Sequence, residues 1–341
     1  MNERATQLVE LFTCALSGDQ QKINIATTNI LQLSNDITLI NELIAISVNS
    51  PENSIRQYAA VLLRKMILKH LFDQEQYKLL QTSLLLLIQN DPSLDNKLLF
   101  SHAAIALDSK LAAPWEELYN LAIGFLSLPE TLILGLKIFT SICDVAKTQE
   151  DFISNYFDHL MGCIISCFQT SNTEIITNAI LLFQELAKKF DSERFLPYDS
   201  LPQMFLEEIT AVVKDRPNLL EAQTIFNCVS FLLDKGFDNF IQAAQPFIDF
   251  ALNFTVSDAD IDYRIACQQV MIMAPCIFPD IVSDQLPIFL QAVYKLAIQI
   301  LEVDRELVTY DINFMIDFIN ELIFNTETSS DVLQSLITLA T

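Results

Sequence analysis

Polar, turn-forming clusters punctuate this chain at near-regular intervals, and no other feature of the sequence restricts the fold as tightly. They are Gly18-Asp19, Ser50-Pro51-Glu52, Asp91-Pro92-Ser93, Leu128-Pro129-Glu130, Asn172-Thr173-Glu174, Arg216-Pro217-Asn218, Ser257-Asp258 and Val303-Asp304. Measured from Asp19, Glu52, Ser93, Pro129, Thr173, Pro217, Asp258 and Asp304, the gaps are 33, 41, 36, 44, 44, 41 and 46 residues, a period of about 41. Each cluster has the chemistry of a helix start. Ser, Thr or Asp accepts from free amides, Pro suits the first turn, and early acids complement the helix dipole. Between the clusters apolar residues recur at three-to-four spacing, as in Leu8, Leu11, Phe12, Ala15 and Leu16, and no run alternates as a strand would. Five glycines in 341 residues leave little material for hairpins or nucleotide-binding turns. Each period therefore reads as helix, turn, helix.

Repeats of about 40 to 47 residues built from helix pairs are the HEAT and armadillo pattern. The expected fold is all-α: a right-handed superhelical HEAT-repeat solenoid of about eight helix pairs. One array is expected over residues 1–341, with repeats 1–3 in 1–110 and repeats 4–8 in 111–341. The strings Glu52-Asn-Ser-Ile-Arg56-Gln-Tyr-Ala59-Ala60 and Asp258-x5-Arg264-Ile-Ala266 share an acid, an Arg and then a small residue, which lets two helices approach closely. Stacked pairs bury a continuous core and curve so that the second helices line a concave face suited to holding a partner. The final residues, Ser335 to Thr341, stop in mid-pattern without a polar cap, which predicts a longer parent chain.

The formal net charge is −23, and it is unevenly distributed. Residues 1–110 hold nine Lys/Arg against eleven Asp/Glu, residues 111–216 seven against fifteen, and residues 217–341 four against seventeen. Nucleic-acid binding needs the opposite sign, so no direct nucleic-acid partner is expected. An acidic inner surface attracts basic proteins, although the same acids also serve as solvated outer faces. The mean hydropathy of +0.33 is high. Yet the purest apolar run, Leu84 to Ile88, is five residues long and the run from Leu121 to Phe139 is broken by Pro129 and Glu130. A membrane span needs roughly 20 residues, so the sequence predicts a soluble chain. The start Met1-Asn2-Glu3-Arg4 lacks the basic and apolar segments of a signal peptide. Seven cysteines sit within apolar helical patterns, as free thiols in cytosol or nucleus would.

Little in the chain suggests catalysis. His159-x3-Cys163-x3-Cys167 puts three metal-ligand types on one helix stripe, but tetrahedral sites draw ligands from two segments, and the cysteines read as small core residues. Asp258-Ala-Asp260-Ile-Asp262 imitates the start of a calcium loop, with Tyr263 where Gly is required and Gln269 where Glu is required. His70, His102 and His159 are isolated, and no phosphate-cradle or nucleophile-elbow motif occurs. Neither an enzyme, nor a metal, nor a cofactor is expected.

Against this acidic background, the stretch from Glu52 to Leu71 carries Arg56, Arg64, Lys65 and Lys69. Its string Ile55-Arg56-Gln57-Tyr58-Ala59-Ala60-Val61-Leu62-Leu63-Arg64-Lys65, followed about fifty residues on by Pro114-Trp115-Glu116-Glu117-Leu118, resembles the N-terminal part of importin-β-type karyopherins. The resemblance is nearest the importin four and importin five branch, whose members carry ribosomal proteins and histones. Phe195-Leu-Pro-Tyr198 and Asp262-Tyr-Arg264-Ile-Ala-Cys267 sit where that branch has comparable segments. Two departures stand out: Asp95-Asn-Lys97-Leu-Leu-Phe lacks the Arg common there, and the usual Trp-Pro-Glu is Trp115-Glu116-Glu117.

The resemblance implies a nuclear transport receptor that shuttles between cytoplasm and nucleus. Its implied partners are Ran-GTP, basic cargo such as a histone or ribosomal protein, and phenylalanine-glycine nucleoporins. It implies that Arg56, Gln57, Arg64 and Lys65 lie on or near the Ran-facing arch. The competing reading gives Arg56 only the hydrogen bonds between HEAT repeats and leaves Arg64, Lys65 and Lys69 solvated. Asp258, Asp260, Asp262, Glu302, Asp304 and Glu306 form the expected acidic cargo surface. A static HEAT scaffold that assembles other proteins is the alternative function; it predicts the same fold without a nucleotide-sensitive partner.

Overall fold

The computed structural model describes residues 2–145, 150–214, 218–255, 267, 270–272, 274–284, 286–291, 313 and 316–321. Among them every regular element is helical, and the chain divides into two compact units, Met1–Asp158 and His159–Thr341. The fold class is an all-α HEAT-repeat solenoid.

In the first unit the helices pair as expected: α1 (Glu3–Ala15) with α2 (Gln20–Leu33), α3 (Leu39–Asn49) with α4 (Asn53–Lys69), α5 (Gln74–Asn90) with α6 (Leu94–Asp108), and α7 (Glu116–Leu126) with α8 (Leu132–Val145). The first four polar clusters of the sequence mark one recurring place, the turn into the second helix of each pair. Asp19 accepts from the amides of Gln21 and Lys22, and Ser93 accepts from Asn96. Glu52 occupies the same position without a side-chain bond to the helix. The first helices start differently; α5, for example, opens on a capping box in which Asp73 and Gln76 satisfy each other's amides.

Second helices also pack on one another: α4 lies against α6, and α6 against α8. Small residues allow it, since Ala59 and Ala60 of α4 and Ala103 and Ala104 of α6 are all fully buried. Within the fourth pair the approach is closer still. A Cβ on Gly135 of α8 would come within 2.8 Å of Leu126 Cδ2 and 2.9 Å of the Leu126 amide nitrogen, so only glycine fits there. Leu8, Phe12, Leu43, Leu63, Leu84, Phe100 and Phe139 are fully buried in the core. Full burial of each is worth about 1.5–3 kcal/mol.

Polar rungs tie successive pairs together. His70 Nε2 lies 2.9 Å from the Ser34 carbonyl at the end of α2, and Lys110 Nζ donates to the carbonyls of Leu68 and His70 at the end of α4, both at 2.8 Å. Each side chain thus reaches helix-end carbonyls one repeat behind it. Between the third and fourth pairs, Asp108 accepts from the Trp115 amide at 2.8 Å and from the Tyr119 hydroxyl at 3.2 Å, all three groups buried.

The short α9 (Glu150–Ser154) closes the first unit, and α10 (Phe157–Phe168) crosses the boundary; the second unit continues with α11 (Thr173–Lys189), a 3-10 turn at Ser192–Phe195, α12 (Leu201–Lys214), α13 (Leu219–Asp234), α14 (Asp238–Gln242) and α15 (Ala244–Thr255). The cap of α11 is Asn172, one residue before the expected Thr173, because the Asn side chain accepts from both Glu174 and Ile175. Asn218 caps α13 through the Glu221 amide. That helix ends at Gly236, whose φ of +74° carries the chain into the left-handed region that glycine tolerates best. The core here is phenylalanine-rich: rings of Phe183, Phe205 and Phe240 meet pairwise at 5.5–6.3 Å, and Phe195 and Phe237 extend the cluster. Among the described residues, no helix is long and apolar enough to cross a membrane.

Candidate partner-binding surface

Helix α4 carries the basic residues singled out in the sequence, and its periodicity splits them between two roles. Ile55, Ala59, Ala60, Leu62, Leu63, Met66 and Ile67 turn inward. Arg56, at the start of the helix, is drawn into the junction with the next repeat. Its Nη1 donates to the Ser50 carbonyl and its Nη2 to Asn53 Oδ1, each at 3.0 Å, while its Nε lies 3.2 Å from Asp91 Oδ2. Asn96 Nδ2 donates to Asn53 Oδ1 at 2.7 Å and also reaches both oxygens of Asp91. Only 14% of the Arg56 side chain and 3% of the Asp91 side chain remain exposed.

Arg64 and Lys65 lie more than two turns farther along, exposed, with no hydrogen bond or ion pair among the described residues. Val61 and Leu68 flank them, 56% and 52% exposed. Gln57 is half-buried. Lys69 Nζ donates to Asn35 Oδ1 at 2.5 Å, so it joins the second repeat to the first. The remaining sequence-predicted positions, Asp258, Asp260, Asp262, Glu302, Asp304 and Glu306, lie outside the described residues.

His102, isolated in the sequence, and Ser141 join Arg64 across the second helices. A cavity of about 240 Å³ is lined by Arg64 and Leu68 of α4, His102, Ile105 and Ala106 of α6, and Ser141, Asp144 and Val145 of α8. His102 is half-buried, with Nε2 3.2 Å from Ser141 Oγ, and the hydroxyl in turn donates to the Lys137 carbonyl at 3.0 Å. Burial, and then the nearby Arg64 charge, hold the His102 imidazole below its ordinary pKa. A signal for this site was present. His102 lies 38 positions after Arg64 and Ser141 lies 39 after His102, so stepping along the chain by one period finds the same face of the next second helix.

The stripe His159, Cys163, Cys167 does form on α10, with His159 exposed, Cys163 half-buried and Cys167 buried. The two thiols interact with each other. That contact favours the Cys163 thiolate, and Cys167 is pushed up by the same contact and by burial. Cys143, Cys228 and Cys267 are buried, and the cysteines are all free thiols. No group of three or more His, Cys, Asp or Glu is placed to hold a metal ion among the described residues.

No family model and no curated protein matches the sequence. Solved structures do match the fold. The chain is similar to the karyopherin Kap121p bound to RanGTP, with a TM-score of 0.75 and 15% identity over 98% of this chain and 34% of that one. It is similar to Kap121p bound to the SUMO protease Ulp1p, with a TM-score of 0.74 and 16% identity over 99% and 35%. Kap121p bound to Nup53p gives a TM-score of 0.73 and 15% identity over 98% and 34%. The chain therefore spans about one third of the length of the karyopherin structures it matches, and it shares their fold over nearly all of its own.

Proposed function

We propose that this chain acts as a nuclear transport receptor. It binds a basic protein cargo such as a histone or ribosomal protein, and it releases that cargo when GTP-bound Ran docks on the second helices of its first repeats. The observation that carries this reading is the fold likeness to Kap121p over 98% of the chain, one of those structures being a complex with RanGTP. The exposed, unpaired Arg64 and Lys65 on α4 supply charge for such a contact, and the excess of acids beyond residue 110 supplies attraction for basic cargo. The nearest branch in this reading is that of importin four and importin five. Phenylalanine-glycine nucleoporins are the third partner, and the receptor shuttles between cytoplasm and nucleus. Ran and cargo couple reciprocally: whatever factor Ran takes from cargo affinity, cargo takes from Ran affinity.

The test is binding of the chain to Ran loaded with a non-hydrolysable GTP analogue and, separately, with GDP. The control is Arg64→Glu/Lys65→Glu, which leaves the Arg56 junction untouched. Preference for the GTP form, lost in the double variant, supports the transport reading. Equal or absent binding of both forms leaves the chain a HEAT scaffold.

A further inference from the structure

We infer that the cavity between α4, α6 and α8 receives the carboxylate of an Asp or Glu side chain from a partner protein, gripped by Arg64 and His102. The inference deepens the proposed function by naming what this face takes from its partner, and it rests on that reading only in treating the second helices as the partner-binding face.

Arg64 is exposed, and its guanidinium has no hydrogen bond or ion pair among the described residues. Its five N–H donors are therefore unspent at the cavity wall, and their planar fork matches a carboxylate. Ser141 has one hydroxyl proton, which goes to the Lys137 carbonyl. Its oxygen is left to accept from His102 Nε2–H, and this fixes the ring. The second ring nitrogen of a neutral His102 then carries no proton. A carboxylate entering the cavity favours protonation there, and the imidazolium so formed donates to the new oxygen while its Nε2–H stays on Ser141. The proton comes from solvent, and Ser141 acts only by orienting the ring.

Charge selects the ligand. Among the described residues, the charged groups that line the cavity with His102 are Arg64 from α4 and Asp144 from α8. Helices α5 and α7, which also pack against these elements, add no titratable group to the wall. With His102 neutral, these described groups sum to zero. Uptake of one proton together with one carboxylate keeps the sum at zero, whereas a phosphate dianion overshoots and a lysine leaves Arg64 opposed. Leu68, Ile105, Ala106 and Val145 supply an apolar collar for the methylenes of an acidic side chain.

The sign of the pH dependence follows. The ligand raises a His pKa that starts below the ordinary 6.5. Binding is therefore strongest below the free-state pKa and weakens as pH rises through the bound-state pKa. An opposite charge at this range is worth about one unit, which corresponds to about tenfold in affinity across the window.

The experiment follows the imidazole NMR titration of the chain's three histidines, with His102 assigned through His102→Gln. The probes are a hexaglutamate peptide, a hexalysine peptide and inorganic phosphate. Hexaglutamate is expected to raise the His102 pKa by about one unit in the wild type and not in Arg64→Ala. Asp144→Asn is expected to tighten hexaglutamate binding. A His102 resonance indifferent to hexaglutamate overturns the proposal. So does a larger response to hexalysine or phosphate, or weaker hexaglutamate binding in Asp144→Asn. Circular dichroism verifies that each variant is folded. Since the peptides need no Ran, failure of the transport reading and failure of this proposal are separately visible.

Discussion

Asp91, the cap residue at the end of α5, holds Arg56 of the preceding repeat with Nε 3.2 Å from Oδ2, and both side chains are largely shielded from solvent. Removing one partner of such a pair leaves a desolvated charge, which usually costs about 3–5 kcal/mol. Arg56 keeps the Ser50 carbonyl and Asn53 Oδ1 as acceptors, so Asp91→Ala is expected near the lower end, about 3 kcal/mol. Urea unfolding of the single variants and of Arg56→Met/Asp91→Leu reads both the loss and its recovery. A loss under about 1 kcal/mol in Asp91→Ala would remove this pair from the structural ladder.

Lys110→Met keeps the aliphatic stem and loses both bonds to the end of α4. The expected loss is about 1–2 kcal/mol, accompanied by faster amide exchange at Ile67 to His70 than in the first turns of the same helix. Exchange that is unchanged at that end would mean water replaces Lys110 without penalty.

Asp108 satisfies two buried donors at once, the Trp115 amide and the Tyr119 hydroxyl. Asp108→Ala orphans both and is expected to cost about 3 kcal/mol, whereas Tyr119→Phe removes one bond and costs about 1 kcal/mol. Burial first, then the Asp108 charge, raises the Tyr119 pKa above the ordinary tyrosine value of 10.0. The phenol therefore contributes stability that is present below pH 10 and lost at higher pH. Tyr119→Phe should flatten that alkaline loss in a pH series of unfolding midpoints.

His102 gives a pH signature in the free protein. Its folded-state pKa is below the ordinary 6.5, so the unfolded chain takes up the proton first as pH falls. Stability tied to the neutral ring is complete above pH 6.5 and declines as pH drops toward the folded-state value. Comparing urea midpoints at pH 7.5 and 5.5, the wild type should fall farther than His102→Gln. Equal falls would show that the imidazole is as easily protonated in the fold as out of it.

The repeat phase was readable because caps are written in side chains: Asp19, Ser93 and Asn218 each declare a second-helix start. Asn172 and Thr173 are both capping types, and only the backbone decides between them. Arg56 admitted two readings because an arginine at a helix start reaches either solvent or the next repeat, and its partner Asp91 is 35 positions away. Placing it in the junction moves the question of partner contact onto Arg64 and Lys65. The roles of His70 and Lys110 were invisible for a different reason: they bind main-chain carbonyls, which carry no sequence signature.

Five side-chain contacts between neighbouring repeats share one more property. Arg4 to Asp36, Ser141 to His102, Lys110 to His70, Asn96 to Asn53 and Asn239 to Phe195 join residues 32, 39, 40, 43 and 44 positions apart. Each closes a loop of about one unit and no more. Closure entropy grows with loop length, and folding speed falls with the sequence distance between contacts. For a chain tied in this way, duplicating a unit lengthens the molecule without lengthening any closure, so growth carries no kinetic penalty per rung.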